Sequence, residues 1–166
     1  MTRVSGTLLV RRYAVRQPEL YRVVEGVSAK GLTPLDKASL CELAQAVTDL
    51  EENGVEGDLI EIGTTPGAGI VISEAKRRSR PFVTLHPDSV KELSGGGPIA
   101  LAHVSGAGYE ATCFILEHLT SRLSLGGCMI LSDHKKEDCR RAVDAFFLGK
   151  KGFRLVRKSR LHIVRS

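Results

Sequence analysis

Glu61, His86, His103, Ser105, Tyr109, Asp133 and His134 are the side chains of this sequence whose types and places suit acid–base chemistry. Each stands at or just past the end of an apolar run, so a fold that aligns those runs would gather them at one edge. Imidazoles exchange protons near neutral pH, and a carboxylate such as Asp133 can orient one of them. His134 and His103 are therefore the candidate bases, with Asp133 and Tyr109 beside them. The alternative reading puts His103 in the core and leaves His86 and His134 as solvated loop residues. A metal site built from His86, His134 and Asp133 has no ligand spacing behind it, and none is expected.

A second group of residues points to a bound small molecule. In Gly57-Asp58-Leu59-Ile60-Glu61-Ile62-Gly63-Thr64-Thr65-Pro66-Gly67-Ala68-Gly69 a short apolar run stops in a glycine turn, and a helix begins at Ile70-Val71-Ile72. Glycine lets a ligand approach the backbone, and a helix start offers unpaired N–H groups. Glu61, near the end of the run, is placed to accept hydrogen bonds from a ligand amine or hydroxyl. A tight strand-to-helix turn with no ligand is the plain alternative.

Stepping outward, the elements that would position these groups are legible in order. Thr33 as N-cap, Pro34 at the first helical position and Asp36 in the first turn predict a helix start. Leu40, Leu43, Val47 and Leu50 continue it along one face to Asn53-Gly54. After the glycine turn a helix turns basic at Lys76-Arg77-Arg78, and Phe82–Leu85 reads as a second strand closed by His86-Pro87. Only the stretch from His86 to Pro98 then separates it from a third strand, Ile99–Val104, with Ser94-Gly95-Gly96-Gly97 as loop. One short crossover fits there; an extra strand with its own helix does not. A helix is predicted from about Tyr109 to Leu123, ended by Gly126-Gly127, and Cys128–Leu131 is a fourth strand. Glu137–Leu148 is a helix with Cys139, Ala142, Val143 and Phe146 inward. Phe153–Arg157 and Leu161–Arg165 alternate as a terminal hairpin. Residues 1–32 read as an N-terminal arm, in which Thr7–Val10 suits a short strand or an amphipathic segment and Pro18–Val27 a helix. Residues 33–166 read as one α/β domain: a doubly wound, mostly parallel sheet with a C-terminal antiparallel hairpin.

Composition narrows the classes. Hydrophobic residues make up 42% and charged residues 26%, with no tryptophan and no apolar run long enough for a membrane span. The expectation is a cytoplasmic protein that acts on a small molecule, with no membrane partner. The net charge of +5 is concentrated in Lys150, Lys151, Arg154, Arg157, Lys158, Arg160 and Arg165. No aromatic residues suited to base stacking accompany that basic stretch, so it reads as a solvated hairpin and not as a nucleic-acid site. Cys41, Cys113, Cys128 and Cys139 lack metal-ligand spacing and read as reduced core thiols.

Taken together, several stretches resemble the macrocin O-methyltransferase family of class I S-adenosylmethionine-dependent enzymes, which tailor sugars and other natural products in bacteria. They are Thr33–Val47 leading to residues 53–58, Ile60-Glu61-Ile62-Gly63 with Gly67, and Ile99–Val104 before Gly106. Tyr109-Glu110-Ala111-Thr112, Leu123–Ile130 and Cys139–Phe146 complete the family's order over about residues 33–148. The resemblance implies a class I methyltransferase fold that binds S-adenosylmethionine. Its candidate cofactor residues are Glu61, Gly63, Thr64, Gly67, His86 and Ser105. Departures from the family pattern carry implications of their own. Family members have carboxylates where this chain has Ser105 and Ala107, and an Asp-Asp pair where it has Ser132-Asp133. Those side chains hold a magnesium ion, so a degenerate metal site is expected, with no metal. Leu85-His86 replaces the acid that grips the ribose, the third strand and its helix are missing, and Pro66 removes one backbone donor from the turn.

Three functions follow as expectations. The first is O-methyl transfer from S-adenosylmethionine in natural-product biosynthesis. The second is an acid–base catalyst (cyclisation, elimination or isomerisation) on a remodelled scaffold, and the third a non-catalytic partner of a full-length enzyme. An uncovered edge at Phe82–Leu85 further suggests a homodimer.

Overall fold

Short apolar runs linked by helix-length segments can pair in parallel only through crossovers, and that is what this chain does. A computed structural model describes residues 6–76, 79–93 and 96–166. Arg77-Arg78 and Ser94-Gly95 of the sequence reading lie outside the described residues, as do the first five residues of the arm. The strands are β1 (Asp58–Ile62), β2 (Phe82–Leu85), β3 (Ile99–Val104), β4 (Leu123–Leu131), β5 (Phe153–Arg157) and β6 (Leu161–Arg165). They form one six-stranded sheet in the order β2-β1-β3-β4-β6-β5. The first four run parallel, β6 pairs antiparallel with β4, and β5 pairs antiparallel with β6. The short link from β2 to β3 is a 3-10 segment, Pro87–Leu93, so β2 is the edge of the sheet.

Among the described residues six α-helices cover the two faces. Against one face lie α1 (Gly6–Arg16), α2 (Pro18–Ala29), α3 (Lys37–Glu52) and α4 (Gly67–Ala75), with Leu59, Leu101 and Ile130 of the sheet in their core. Against the other lie α5 (Tyr109–Leu119) and α6 (Glu137–Phe147), over Ile60, Ile62, Ala102, Val104, Met129 and Leu131. Successive residues of each strand thus divide between the two cores, as a doubly covered sheet requires. Tyr13, Val24 and Val27 are buried in the first core, so α1 and α2 belong to the same folded unit as α3 and α4.

Several boundaries differ from the sequence reading, and three choices bear on how the elements pack. Thr7–Val10 is the amphipathic segment of the two readings, a helix and not a strand, because Leu9, Val10 and Tyr13 recur at the spacing that lets one helical face reach the core. The α3 helix begins at Lys37, with Asp36 rather than Thr33 as its N-cap; Asp36 Oδ1 accepts the Ser39 N–H at 2.7 Å and the Ser39 hydroxyl at 2.8 Å. Thr33 instead accepts the Leu35 N–H at 3.3 Å, and its side chain lies against Gly67, where a Cβ would come within 2.7 Å. Residues 33–35 are thereby drawn over the glycine turn. The third difference is at Gly126-Gly127, which lie inside β4 and do not end a helix. A register shift between Ile99 and Leu101 accommodates them, and Gly127 packs so closely that a Cβ would stand 2.8 Å from the Ser124 carbonyl oxygen and 2.9 Å from that of Ile99.

Candidate functional site

Parallel pairing brings the ends of β1, β3 and β4 to one edge. The ladder continues one residue beyond each strand: Gly63 N–H donates to Leu85 O at 2.9 Å, Ser105 N–H to Ile62 O at 2.8 Å, and Ser132 N–H to Val104 O at 2.9 Å. A cleft of about 360 Å³ opens at that edge, lined by Thr64 and Thr65, Ser105 and Gly106, and Ser132 and Asp133. Pro34 and Leu35 form its roof, and Lys135, Lys136 and Arg160 its basic side. This is where a doubly wound sheet places its ligand.

Glu61, His103 and Ile130 share one register row across the three strands, all facing α3 and α4. Glu61 is fully buried and His103 is 1% exposed. Glu61 Oε1 lies 3.5 Å from His103 Nδ1, and on the far side of the ring Nε2 lies 2.8 Å from Ser132 Oγ. A carboxylate, an imidazole and a hydroxyl therefore form a line that runs from beneath α4 to the cleft, and only Ser132 reaches the opening. Glu61's two oxygens have no hydrogen-bond donor among the described residues. Gly69 lies directly over them, and a Cβ there would push Glu61 Oε2 aside.

His103 is thus a core residue and also part of a polar line, which joins the two readings the sequence left open. The other predicted groups separate. His86 is exposed, pairs with its own neighbour Asp88 at 3.3 Å and does not line the cleft. Tyr109 is 37% exposed at the start of α5, under the Arg141 guanidinium 4.9 Å from its ring centre. Asp133 orients no histidine: Oδ2 accepts the Gly106 N–H at 2.6 Å and Oδ1 pairs with Lys136 Nζ at 2.8 Å. His134 is half-buried; burial first, then the cations Lys135, Arg160 and Arg157, hold its pKa below the usual imidazole range. Thr64 and Ser105 line the cleft, whereas Gly67 is closed off by Leu32 and Thr33, its N–H donating to Leu32 O at 3.1 Å. Ser132, Lys136 and Arg160 are cleft residues the sequence reading did not single out. The position of Ser132 one residue past an apolar strand was the available signal.

A second buried ionic cluster fixes the basic side. Glu42 of α3 accepts the Ser159 N–H at 3.1 Å and the Ser159 hydroxyl at 2.5 Å, and lies 3.7 Å from His162 Nε2. Burial alone would raise the Glu42 pKa, but His162 and Ser159 together hold it below the ordinary carboxylate range. A depressed folded-state pKa contributes stability that is present above the unfolded value, about 4.3, and is lost as pH falls through the folded one. Glu42→Gln is therefore expected to flatten the acid limb of a Tm-against-pH curve below about pH 4 while lowering Tm at pH 7. Parallel curves for the two proteins would show that this carboxylate contributes nothing to the pH dependence.

The fold is α/β, a mostly parallel six-stranded sheet closed by an antiparallel hairpin, and solved structures share it. No family model matches the chain, and no curated protein matches it in sequence. Among solved structures it is similar to the O-methyltransferase NovP, at 19% identity and a TM-score of 0.68 over 81% of each chain. It is similar also to an O-methyltransferase from Bacillus cereus in complex with SAH, at 13% identity and a TM-score of 0.60 over 93% of this chain and 96% of that one. CalS11, a TDP-rhamnose 3'-O-methyltransferase of calicheamicin biosynthesis, gives 14% and 0.56 over 96% of this chain and 92% of that one. These likenesses fix the fold. No helix among the described residues is long and apolar enough to cross a membrane.

Thr64, Thr65 and Ser105 give the cleft hydroxyl groups that suit the polar end of S-adenosylmethionine. Gly63 packs closely beneath them, since a Cβ there would stand 2.7 Å from Ser105 Oγ and 3.4 Å from Glu61 Oε1. For a divalent ion the fit fails: both Asp133 oxygens are engaged, and among the described residues no three His, Cys, Asp or Glu side chains converge.

Proposed function

We propose that this chain is an O-methyltransferase of the macrocin type that acts on a small hydroxylated molecule, with the cleft beside Ser132 as its reaction site. The line Glu61–His103–Ser132 ending in that cleft is the observation that carries the reading. S-adenosylmethionine, when bound, supplies an electrophilic methyl group. Glu61 facing Nδ1 favours the imidazole tautomer with its proton there, which leaves Nε2 free to accept. Ser132 then takes the proton of the acceptor hydroxyl as it passes its own to His103, and Glu61 stabilises the imidazolium. Thr64, Thr65 and Ser105 hold the cofactor's polar end, and Leu35 with Pro34 excludes water from above. CalS11, which acts in calicheamicin biosynthesis, supports the same assignment for this chain.

Calorimetric titration of the folded protein with S-adenosylmethionine and with its demethylated product tests the reading. Saturable heat is expected with both. No heat at millimolar ligand would remove methyl transfer. A second reading keeps the proton line and drops the cofactor, so that the cleft runs an elimination or isomerisation. The short link from β2 to β3, which leaves no third strand beside the place an adenosine occupies, favours it.

A further inference from the structure

We infer that the acceptor carries an anionic oxygen group, a phosphate or a carboxylate, which Arg160 and Lys135 hold at the basic side of the cleft. The inference rests on the proposed reaction site, whose acceptor it narrows to a chemical class. Three cations, Lys135, Lys136 and Arg160, line the cleft against a single carboxylate, Asp133. Lys136 is already paired with that carboxylate at 2.8 Å. Neither Lys135 nor Arg160 has an ion-pair partner within reach among the described residues. Arg160 goes further: its Nε is buried and has no hydrogen-bond acceptor. A guanidinium stays charged at any physiological pH, and a buried N–H left without an acceptor is a cost that a bound oxyanion would relieve.

Placement of Arg160 is built, not incidental. It sits at the tip of the β5–β6 hairpin, closed by the Lys158 N–H to Arg160 O bond at 2.9 Å. Ser159, its neighbour, is pinned to Glu42 on α3 through both its N–H and its hydroxyl. The hairpin tip is thereby locked against the domain, and the guanidinium is presented to the cleft at little entropic cost on binding. Asp36, the other carboxylate near these cations, has Oδ1 committed to Ser39 at the start of α3. The combined field is felt by neighbours: Arg160 and Lys135 both favour the charged form of Asp36 and disfavour that of His134. An arginine fork also matches the two-oxygen face of either anion.

The test uses inorganic phosphate and benzoate as probes, titrated separately into the whole chain and followed by the 15N resonance of the Arg160 Nε–H group. Saturable shifts at millimolar concentration are expected with at least one probe. The tighter of the two tells whether a phosphate or a carboxylate is the natural group. Arg160→Met, followed by the backbone amide resonances of Ser132 and Asp133, and Lys135→Met should each weaken that probe at least tenfold, while Lys151→Met, on the exposed link before β5, should leave it unchanged. No saturable shift with either probe, or equal weakening by Lys151→Met, would overturn the inference. Because no methyl donor is present, this outcome is separate from the calorimetric one: loss of the anion effect leaves S-adenosylmethionine binding standing, and the reverse holds too.

Discussion

Replacing Ser132 with alanine is expected to lower turnover about 10²- to 10⁴-fold, the usual worth of a positioned proton-transfer group. Ser132 is the only member of the buried line that lines the cleft, so without it His103 Nε2 has no route to an acceptor hydroxyl. One hydrogen bond is lost with the hydroxyl, which costs about 0.5–1.5 kcal/mol and lowers Tm by about 1–6 °C. His103→Asn keeps a polar amide where Nδ1 stands, beside Glu61, while the proton acceptor at Nε2 disappears. It should match the Ser132→Ala loss. The double variant should be no slower than either single one, because the two residues form one path. A Ser132→Ala protein with wild-type kcat would remove the relay, and additive losses would show two independent roles. His103→Ala is a poorer probe, since it removes the imidazole packed against the fully buried Glu61, opens a cavity there and destabilises the fold for that reason.

The second large effect concerns stability and the entry to the central strand. Gly57 has φ +121°, a region open only to glycine, and a Cβ there would stand 2.7 Å from the Pro98 carbonyl oxygen and 2.8 Å from the Ala100 N. Both obstacles are backbone atoms of the segment leading into β3, to which Asp58 N–H donates through Pro98 O at 2.9 Å. They cannot rotate away as a side chain would. Arg80 ties the same corner down, donating to Gly57 O at 3.3 Å and pairing with the buried Glu51 at 3.2 Å. Strain and overpacking of about 1–3 kcal/mol each add to a loss of about 2–6 kcal/mol for Gly57→Ala, or roughly 4–24 °C in Tm. Gly26 is the contrast. It lies inside α2 with open space around it and ordinary φ, so Gly26→Ala should raise stability by about 0.5–1 kcal/mol. Thermal unfolding of the two variants side by side checks both signs, and a Gly57→Ala protein as stable as wild type would refute the packing argument.

Periodicity was enough to determine the strands Phe82–Leu85, Ile99–Val104, Phe153–Arg157 and Leu161–Arg165, the inward face of α3, and the parallel sheet closed by a hairpin. These are local properties: an apolar run or a three-and-four spacing means the same thing wherever the chain goes. Helix starts and glycines were less legible. Thr33 and Asp36 are both good caps, and the choice between them depends on Gly67, whose tight packing against Thr33 draws residues 33–35 across the turn. Gly126-Gly127 read as a stop until pairing with β3 supplied a ladder in which a register shift absorbs them.

The site divides along the same line. That Glu61, His103, Ser105 and Asp133 would meet at one edge followed from strand ends alone, because parallel strands carry their carboxyl termini to the same side. Which of them would touch did not follow. Register placed Glu61 beside His103 and turned both inward; Ser132, not Asp133, received the free ring nitrogen, and Asp133 was drawn to Gly106 and Lys136. Arg160 looked like one charge among many in a basic tail, and only the Ser159–Glu42 anchor, made between residues 117 apart in sequence, brought it to the cleft. Residue type and spacing therefore determined which chemistry the chain could hold. Contacts between distant segments decided which atoms carry it, since hydrogen-bond partners are set by ångström distances that no one-dimensional pattern encodes.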